Sequence, residues 1–302
     1  MKIAFDPYMF RTTALAELPG LVADLGYSAI ELSPREDFIP FYKHPRANSA
    51  DIQAFKAALK AADVEVATIL PLFRWAGPGE DARQAAVRYW RRSIQIAAEL
   101  GVPEMLSEFN GGPAEPAACE ALFWRSMEDL LPDFEREGIR LVIEPHPNDF
   151  IEDGFAAVDM IAGINHPLVS FSYCAPHTFY MGGDIAGIME YAGSLLTHVH
   201  VADTLDFRAS SGLRYIVNAG AGGGVPAGVT QPRIHQHLDI GQGEVDWDTF
   251  FGTLMRLKFD GTMTVCIFAW EERARESSIF NLEQIRARMG GSRPGLALPL
   301  PL

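Results

Sequence analysis

Eight short segments with the composition of β-strands recur along the chain, and helical patterns separate most of them. The strand segments read KIAFD, SAIELS, VEVATILP, PEMLSEF, RLVIEP, LVSFSYC, THVHVAD and MTVCIFAW. The helical patterns cover residues 15–25, 49–62, 81–100, 115–137, 154–163, 184–192 and 246–257. Strands that alternate with helices pair in parallel through βαβ units. The sequence therefore predicts the α/β class and a single (β/α)8 TIM barrel with eight parallel strands.

Chain length and composition agree with one large domain. The chain has 302 residues, of which 48% are hydrophobic and 21% charged, as in ordinary globular proteins. We predict that residues 1–289 form the barrel, with a long loop at about 205–243. Residues 290–302 are rich in Pro and Leu. We expect this tail to be either a flexible end or an arm that links the copies of a homo-oligomer.

The charge balance and the cysteine content limit the choice of partner and compartment. A formal net charge of −14 argues against nucleic acid or an anionic membrane as the partner. No apolar run is long enough for a membrane helix, and the N-terminal MKIAFDPYMF has a strand pattern rather than that of a signal peptide. The three cysteines are far apart and do not fit a disulfide framework. We expect a cytoplasmic protein with a small-molecule partner.

Four strand segments in the C-terminal half carry a metal ligand or an acid–base residue near their ends. Side chains on a strand alternate between two faces. By this rule Glu144, Cys174, His200 and Cys266 all fall on the smaller, more polar face, which suits the barrel interior. Active sites of TIM barrels lie at the C-terminal ends of the strands. We predict that the four converge in one site; the alternative is four unrelated polar residues that happen to end strands.

The two cysteines of this set allow two interpretations. They belong to the sixth and eighth strands, so their backbones should be roughly 9–10 Å apart, which is too far for an undistorted disulfide. A set of Glu144, Cys174, His200 and Cys266 suits zinc better than manganese or magnesium. The other interpretation is that both cysteines are small residues lining a pocket and that no metal is bound.

Further residues are candidates for catalysis or substrate binding. Glu144, His200 and His177 are the candidate catalytic residues. The long loop contains several cationic and imidazole side chains, so we expect it to cover the barrel mouth. A second carboxylate can come from Glu108, Glu271 or Glu272, which all lie at strand ends. The expected substrate-binding residues are Glu31, Arg35, Glu108, His146, Asp203, Arg208, Arg233, His235, His237, Trp270 and Glu271.

The pattern at the strand ends resembles the xylose isomerase-like TIM-barrel superfamily of sugar isomerases and epimerases. In that superfamily Glu, Asp, His and Glu at the ends of strands five to eight bind a divalent metal, and the two Glu side chains move the proton. Glu144 and His200 match two of these positions, and His177 matches a substrate-contacting histidine. Cys174 stands in the place of the Asp and Cys266 in the place of the second Glu. The resemblance therefore implies the fold and the site, with two ligands replaced.

Longer motifs resemble a group of myo-inositol catabolism proteins within that superfamily. They include ELSPREDFIPF, IEPHPNDFIEDG, YCAPHTFYMGGD, HVHVADT and RIHQHLDIGQGEVDW. This resemblance covers nearly the whole chain and implies a role in an inositol pathway.

Three functional hypotheses follow. The first is an isomerase or epimerase that transfers a proton next to a carbonyl of a ketose or an inosose-like substrate through an enediolate. The second is a lyase or hydrolase on the same scaffold that uses a metal or a histidine. The third is a non-catalytic sugar-binding protein that has lost the usual metal site. A DNA-repair nuclease is disfavoured because it needs a basic face, and this chain has a net charge of −14.

Overall fold

Eight parallel strands close into a barrel in the computed structural model, which describes residues 1–206 and 235–290. The strands pair in chain order, and the eighth pairs with the first, so the predicted (β/α)8 fold is confirmed. Their bounds are Lys2–Phe5 (β1), Ala29–Leu32 (β2), Glu65–Ile69 (β3), Glu104–Glu108 (β4), Arg140–Glu144 (β5), Val169–Cys174 (β6), Leu196–Val201 (β7) and Thr262–Val265 (β8).

Within the described residues, eight α-helices follow the strands and cover the barrel. Their bounds are Leu18–Asp24 (α1), Ser49–Ala62 (α2), Gly79–Leu100 (α3), Pro116–Glu137 (α4), Gly154–Ile164 (α5), Ile185–Ala192 (α6), Trp247–Arg256 (α7) and Ala274–Met289 (α8). Side-chain caps start several of them: Asn48 forms a capping box at α2, and Asp153 and Asp184 accept backbone N–H bonds at α5 and α6. Such caps satisfy donors that a helix start leaves unpaired.

The sequence did not predict α8, because its buried face is largely polar. Ser277 and Asn281 are fully buried on this helix and bond Asp239, with Asn281 Nδ2 at 2.8 Å from Asp239 Oδ1. Asn281 Oδ1 also accepts the N–H of Ile240 at 2.9 Å. A helix that binds the barrel through hydrogen bonds shows no apolar repeat, which is the signal used to recognise helices.

An apolar layer between the strands and the helices forms most of the core. Trp75, Trp90, Phe123 and Phe134 are fully buried there, and the rings of Trp75 and Trp90 stack at 4.7 Å. Packing of this kind leaves the barrel interior to smaller and polar side chains, which therefore determine the chemistry of the site.

No helix in the described part of the chain is long and apolar enough to cross a membrane. The predicted loop residues Arg208 and Arg233 lie outside the described residues, as does the tail beyond Gly290.

Candidate active site

A fully paired polar layer lies inside the barrel; we call its residues Glu31, Glu104, His198 and Thr264 the inner layer. His198 Nδ1 is 2.8 Å from Glu104 Oε1, and its Nε2 is 3.0 Å from Thr264 Oγ1 and 3.1 Å from Glu31 Oε2. Burial opposes a charge on His198, but the bonds to Glu104 and Glu31 outweigh it and raise the pKa of the ring. Each polar side chain of this layer therefore has a hydrogen-bond or ion-pair partner.

His200 links the inner layer to the barrel mouth. Its Nε2 is 2.8 Å from Glu31 Oε1, and its Nδ1 is 2.9 Å from Glu144 Oε2. Despite that short distance, Nδ1 has no partner in hydrogen-bond geometry. Burial opposes the charged ring, but Glu144 and Glu31 raise its pKa well above the usual value. A histidine with one nitrogen held by a carboxylate and the other directed to the mouth is oriented as metal-ligating histidines are.

Glu144 ends β5 and is the central carboxylate of the mouth. It is 1% exposed, and Ser172 donates a hydrogen bond to its Oε2 at 3.1 Å. Its Oε1 lies 3.2 Å from His177 Nδ1, which has no partner in hydrogen-bond geometry. Burial opposes the carboxylate, but the charge of the neighbouring His200 ring outweighs it and lowers the pKa of Glu144. Glu144 is therefore ionised and has one oxygen on each side of the site.

Glu108 ends β4 and is in register with Glu144 on β5. Burial, and then the charge of Glu144, raise the pKa of Glu108 to about 8. His146 Nε2 is 3.7 Å from its Oε1. The mouth thus holds two carboxyl groups on neighbouring strands, one ionised and one protonated at neutral pH. Environments that separate two carboxyl pKa values in this way mark acid and base roles.

Three of the four predicted metal ligands come together. Ligand atoms of Glu144, Cys174 and His200 lie within 4.8 Å of one another, and we call these residues the thiol group. The unpartnered Nδ1 of His200 fits a ligand role here. Burial, and then Glu144, raise the pKa of Cys174 to about 12, so an incoming metal would have to displace its proton. Three protein ligands with an open position are typical of catalytic zinc.

Cys266 is buried near this group but is not one of its members among the described residues. Its backbone N–H bonds Val201 O at 3.2 Å, and its thiol faces the same oxygen at 3.8 Å. It also packs in the apolar core. Since it lies one residue beyond the end of β8, strand parity alone did not fix where its thiol points.

Histidine rings fill the other side of the mouth. The ring centroids of His146, His177 and His235 are 4.3 to 4.9 Å apart. Burial and neighbouring imidazoles lower the pKa values of His177 and His235 well below the usual value. Burial also lowers the pKa of His237 to about 3; its Nδ1 is 2.6 Å from Cys266 O, and its Nε2 has no partner. The rings of His177, His235 and His237 are therefore neutral at neutral pH.

Asp203 holds the chain that brings His235 and His237 to the mouth. It pairs with Leu238 in an antiparallel bridge. Its carboxylate accepts bonds from the N–H of Gly241 at 2.7 Å, the N–H of Val245 at 3.1 Å and Trp247 Nε1 at 2.9 Å. Asp203 was predicted to bind substrate; in the structure its carboxylate holds these backbone and indole N–H groups.

Other predicted substrate residues have contacts that do not involve Glu144. Arg35 pairs with Asp37 at 2.8 Å and donates to Thr13 O at 2.9 Å. Glu271 forms an ion pair with Arg11, with 46% of its side chain exposed. The Arg273 guanidinium covers the ring of the buried Trp270 at 4.2 Å. Glu31 belongs to the inner layer, one step below the mouth.

Asp149 is a mouth residue that the sequence did not single out. It is buried, and its Oδ2 accepts the N–H of Asn110 at 2.8 Å. Burial, and then Glu108, raise its pKa to about 8. Ligand atoms of Glu108, His146 and Asp149 lie within 4.8 Å of one another. The PND turn after β5 is the signal that could have indicated it, because Asn and Asp in turns bond the nearby backbone.

Comparison with known proteins identifies the family. A sequence profile described as xylose isomerase-like TIM barrel matches residues 19–281. A D-psicose 3-epimerase in the presence of D-fructose superposes with a TM-score of 0.75 and 15% identity over 96% of this chain and 100% of that chain. The IOLI protein with a bound zinc atom superposes with a TM-score of 0.76 and 14% identity over 96% of this chain and 99% of that chain. A 3-keto-D-glucoside 4-epimerase from E. coli superposes with a TM-score of 0.70 and 18% identity over 95% of this chain and 99% of that chain. A search of curated proteins finds no match.

At identities of 14% to 18%, the solved structures establish a shared fold and not a shared activity. The profile match carries the family assignment, because it covers residues 19–281 and so includes Glu31, Glu144 and His200. The chain belongs to the xylose isomerase-like TIM-barrel family.

Proposed function

We propose that the protein is an isomerase or epimerase that moves a proton on the carbon next to a carbonyl in a ketose or an inosose-like polyol, as in myo-inositol catabolism. The observation that carries the proposal is the pair of carboxyl groups, Glu108 and Glu144, at the ends of adjacent strands of one buried mouth. Proton exchange beside a carbonyl needs a base and an acid close together. The psicose and keto-glucoside epimerases of the same fold act on substrates of this class.

The protonation states assign the two roles. The Glu144 carboxylate takes the proton from the carbon beside the carbonyl, and the electron pair of that bond moves to the carbonyl oxygen to form an enediolate. The Glu108 carboxyl then returns a proton to the same carbon, which inverts it. When the proton goes instead to the former carbonyl carbon, and the hydroxyl proton of the enediolate passes to the other oxygen, the carbonyl moves. The pair ends with its protons exchanged, and His146, at 3.7 Å from Glu108, can relay the proton that restores the starting state.

Charge on the enediolate needs stabilisation within the mouth. The protonated His200 ring is held between Glu31 and Glu144 and supplies positive charge next to the reacting oxygens. In place of that proton, a zinc ion held by Glu144, Cys174 and His200 would supply the positive charge and polarise the carbonyl, because metal binding displaces the ring proton of His200. Zinc is the metal that this donor set favours, because a thiolate and an imidazole are poor ligands for magnesium or manganese.

Proton exchange in deuterated water tests the proposal. The protein, supplied with zinc, is incubated with inosose and with several ketohexoses, and deuterium at the carbon beside the carbonyl is followed by NMR. We expect exchange with at least one substrate. Glu144→Gln and Glu108→Gln should each slow it by about 10²–10⁴-fold, the usual contribution of a positioned acid or base.

A matched variant and two outcomes complete the experiment. Glu190→Gln removes an exposed carboxylate that pairs with Arg256 between the outer helices α6 and α7 and should leave exchange unchanged. Exchange that persists in Glu144→Gln contradicts the assignment of the base. Loss of a hydroxyl without epimerisation identifies a lyase, and tight binding of the polyols without any exchange identifies a sugar-binding protein.

A further inference from the structure

A cavity of about 410 Å³, which we call the side cavity, lies beside the barrel mouth. It is lined by two prolines at the start of α4, residues 149–154, Ala156, Thr178 and residues 181–183. Its volume is within the range of roughly 300–1,000 Å³ that small-molecule sites occupy. Asp149 also belongs to the mouth, since side-chain atoms of Glu108, His146 and Asp149 lie within 4.8 Å of one another. The side cavity therefore adjoins one of the two carboxyl groups that we assign to proton transfer.

An apolar part of the side cavity is held in place by aromatic packing. Phe150 lines the cavity, and its ring centroid lies 5.5 Å from that of Phe109 and 6.0 Å from that of Phe123. Ile151 and Met181 extend the apolar lining. An aromatic ring that is packed from behind presents a large, rigid apolar surface. Such a surface suits the C–H face of a sugar ring.

The polar part of the side cavity is acidic. Asp149, Glu152 and Asp153 line it, and none of the lining residues in the described part of the chain is Lys or Arg. Acidic side chains accept short hydrogen bonds from hydroxyl groups, whereas like charges across a binding surface exclude phosphate and carboxylate groups. The lining therefore favours an uncharged ligand with several hydroxyl groups.

A buried hydroxyl in the same wall is left without a bond. Thr178 lines the side cavity and is 1% exposed, and its Oγ1 has no hydrogen-bond partner among the described residues. Its methyl group cannot make room for side chains at Gly154 or Gly183, where an added Cβ would come within 3.1 and 2.9 Å of Thr178 Cγ2. Buried polar groups are nearly always paired, so this hydroxyl is a hydrogen-bonding group that the fold itself does not use.

We propose that the side cavity binds a second, non-reacting sugar ring, so that the substrate is an uncharged glycoside of the ketose or inosose-like polyol rather than the free polyol or a sugar phosphate. An apolar surface together with a few polar groups that fix orientation is the usual composition of a small-molecule site. The identity of the reacting unit rests on the proposed function, whereas binding in the side cavity is measured without turnover.

Binding measurements with glycosides and their free parent units test the proposal. Isothermal titration calorimetry compares fructose with turanose, maltulose and isomaltulose, which are glucosides of fructose, and compares myo-inositol with its galactoside galactinol. At least one glycoside should bind about tenfold or more tightly than its parent unit, because a second packed ring contributes on the order of a tenfold gain. Fructose 6-phosphate should show no gain over fructose, because its phosphate meets the acidic lining.

Two substitutions on α5 separate the side cavity from the rest of the helix. Ala156 is exposed and lines the cavity, whereas Ala162 is exposed on the same helix and does not line it. Ala156→Phe fills the cavity and should weaken glycoside binding by about tenfold or more, to the level of the parent unit, since a clash is an effective way to reject a ligand. Ala162→Phe adds the same ring to the same helix and should leave the affinity unchanged.

A milder variant and the unfolding temperatures guard against misfolding. Phe150→Leu keeps an apolar side chain but removes the aromatic surface, and should weaken glycoside binding by roughly 2–10-fold. Ala156→Phe and Ala162→Phe should unfold at the same temperature. The proposal is overturned if no glycoside binds more tightly than its parent unit, or if the gain survives in Ala156→Phe. Tight glycoside binding without deuterium exchange contradicts the proposed function alone, and exchange of free ketohexoses without any gain for a glycoside contradicts the side cavity alone.

Discussion

The inner layer and the mouth are built from the same side chains, histidine and glutamate, and both are buried, yet they differ in how completely they are paired. In the inner layer both nitrogens of His198 have partners. In the mouth His177 Nδ1, His200 Nδ1 and His237 Nε2 have none. Buried polar groups are nearly always paired. Unused hydrogen-bonding capacity, rather than polarity itself, therefore distinguishes the candidate site from its support.

His198 in the inner layer and the pair His177 and His235 in the mouth also have opposite charge states, and His200 between them is charged. Burial opposes a charge in both. In the inner layer Glu104 and Glu31 overcome it and raise the pKa of His198. In the mouth burial lowers the pKa values of His177 and His235, and the neighbouring imidazoles add to this effect. A charged ring fixes carboxylates, whereas a neutral ring can accept a metal.

The strongest test of this comparison is a pair of stability measurements. His198→Ala should lower the free energy of unfolding by about 3–5 kcal/mol, because it leaves buried carboxylates without their partner. His177→Ala should cost about 1 kcal/mol, as for a substitution that breaks no strong pair. Urea unfolding of both metal-free variants measures the difference. Equal losses would show that the mouth supports the fold as much as the inner layer does.

A smaller effect separates the two cysteines. Cys174→Ala should weaken zinc binding at the thiol group by roughly 100-fold, about 2.7 kcal/mol, because it removes a ligand. Cys266→Ala should leave zinc affinity unchanged, because its thiol faces Val201 O at 3.8 Å. The measurement is the Co²⁺ charge-transfer band, which reports a bound thiolate. A band that disappears in Cys266→Ala would return this residue to the ligand set that strand parity predicted.

The smallest expected effect is a change in how stability depends on pH. The pKa of Glu108 is about 8 in the folded protein and has a usual value of 4.5. Between these pH values the folded state keeps a proton that the unfolded state releases, so the contribution of Glu108 to stability falls as pH rises and levels off above about 8. Glu108→Gln cannot ionise and should already be more stable than the parent by on the order of 1 kcal/mol near pH 5, and the difference should grow up to about pH 8.

The test rests on the difference in unfolding free energy between Glu108→Gln and the parent. Neither curve alone is diagnostic, because Asp6 and Asp149 also have pKa values raised to about 8, mainly by burial. The variant and the parent should converge towards pH 4.5, where Glu108 is protonated in both states. Glu283→Gln, on the exposed face of α8, is the matched control and should follow the parent at every pH. A parallel stability curve for Glu108→Gln would mean that Glu108 is ionised in the folded protein.

The sequence predicts the architecture well because strand and helix patterns are local. The alternation of eight strands fixed the barrel, and strand parity placed Glu144, Cys174 and His200 together. Parity ceased to be informative beyond the strand ends, which is why the thiol of Cys266 could not be placed. The helix α8 was missed because Ser277 and Asn281 on it bind the polar Asp239.

The finer features of the site depend on distances that no local pattern contains. The raised pKa of Glu108 requires both burial and the proximity of Glu144. The cluster of His146, His177 and His235 forms only where three loops meet. Asp149 belongs to the site because Glu108 and His146 lie beside it. Composition could not show that the histidine rings are neutral, since the charge of a buried ring depends on which neighbours tertiary folding supplies.

The bonds of Asp203 have a consequence for how the barrel can diversify. Asp203 and Leu238 fix both ends of the chain that contains residues 207–234 to the end of β7. Gly243 allows the close approach, because a side chain there would collide with the backbone of Thr204 and with the Asp203 carboxylate. Since loop length adds little closure entropy, insertions, deletions or whole-segment exchanges between these anchors should be tolerated while His235 and His237 keep their positions.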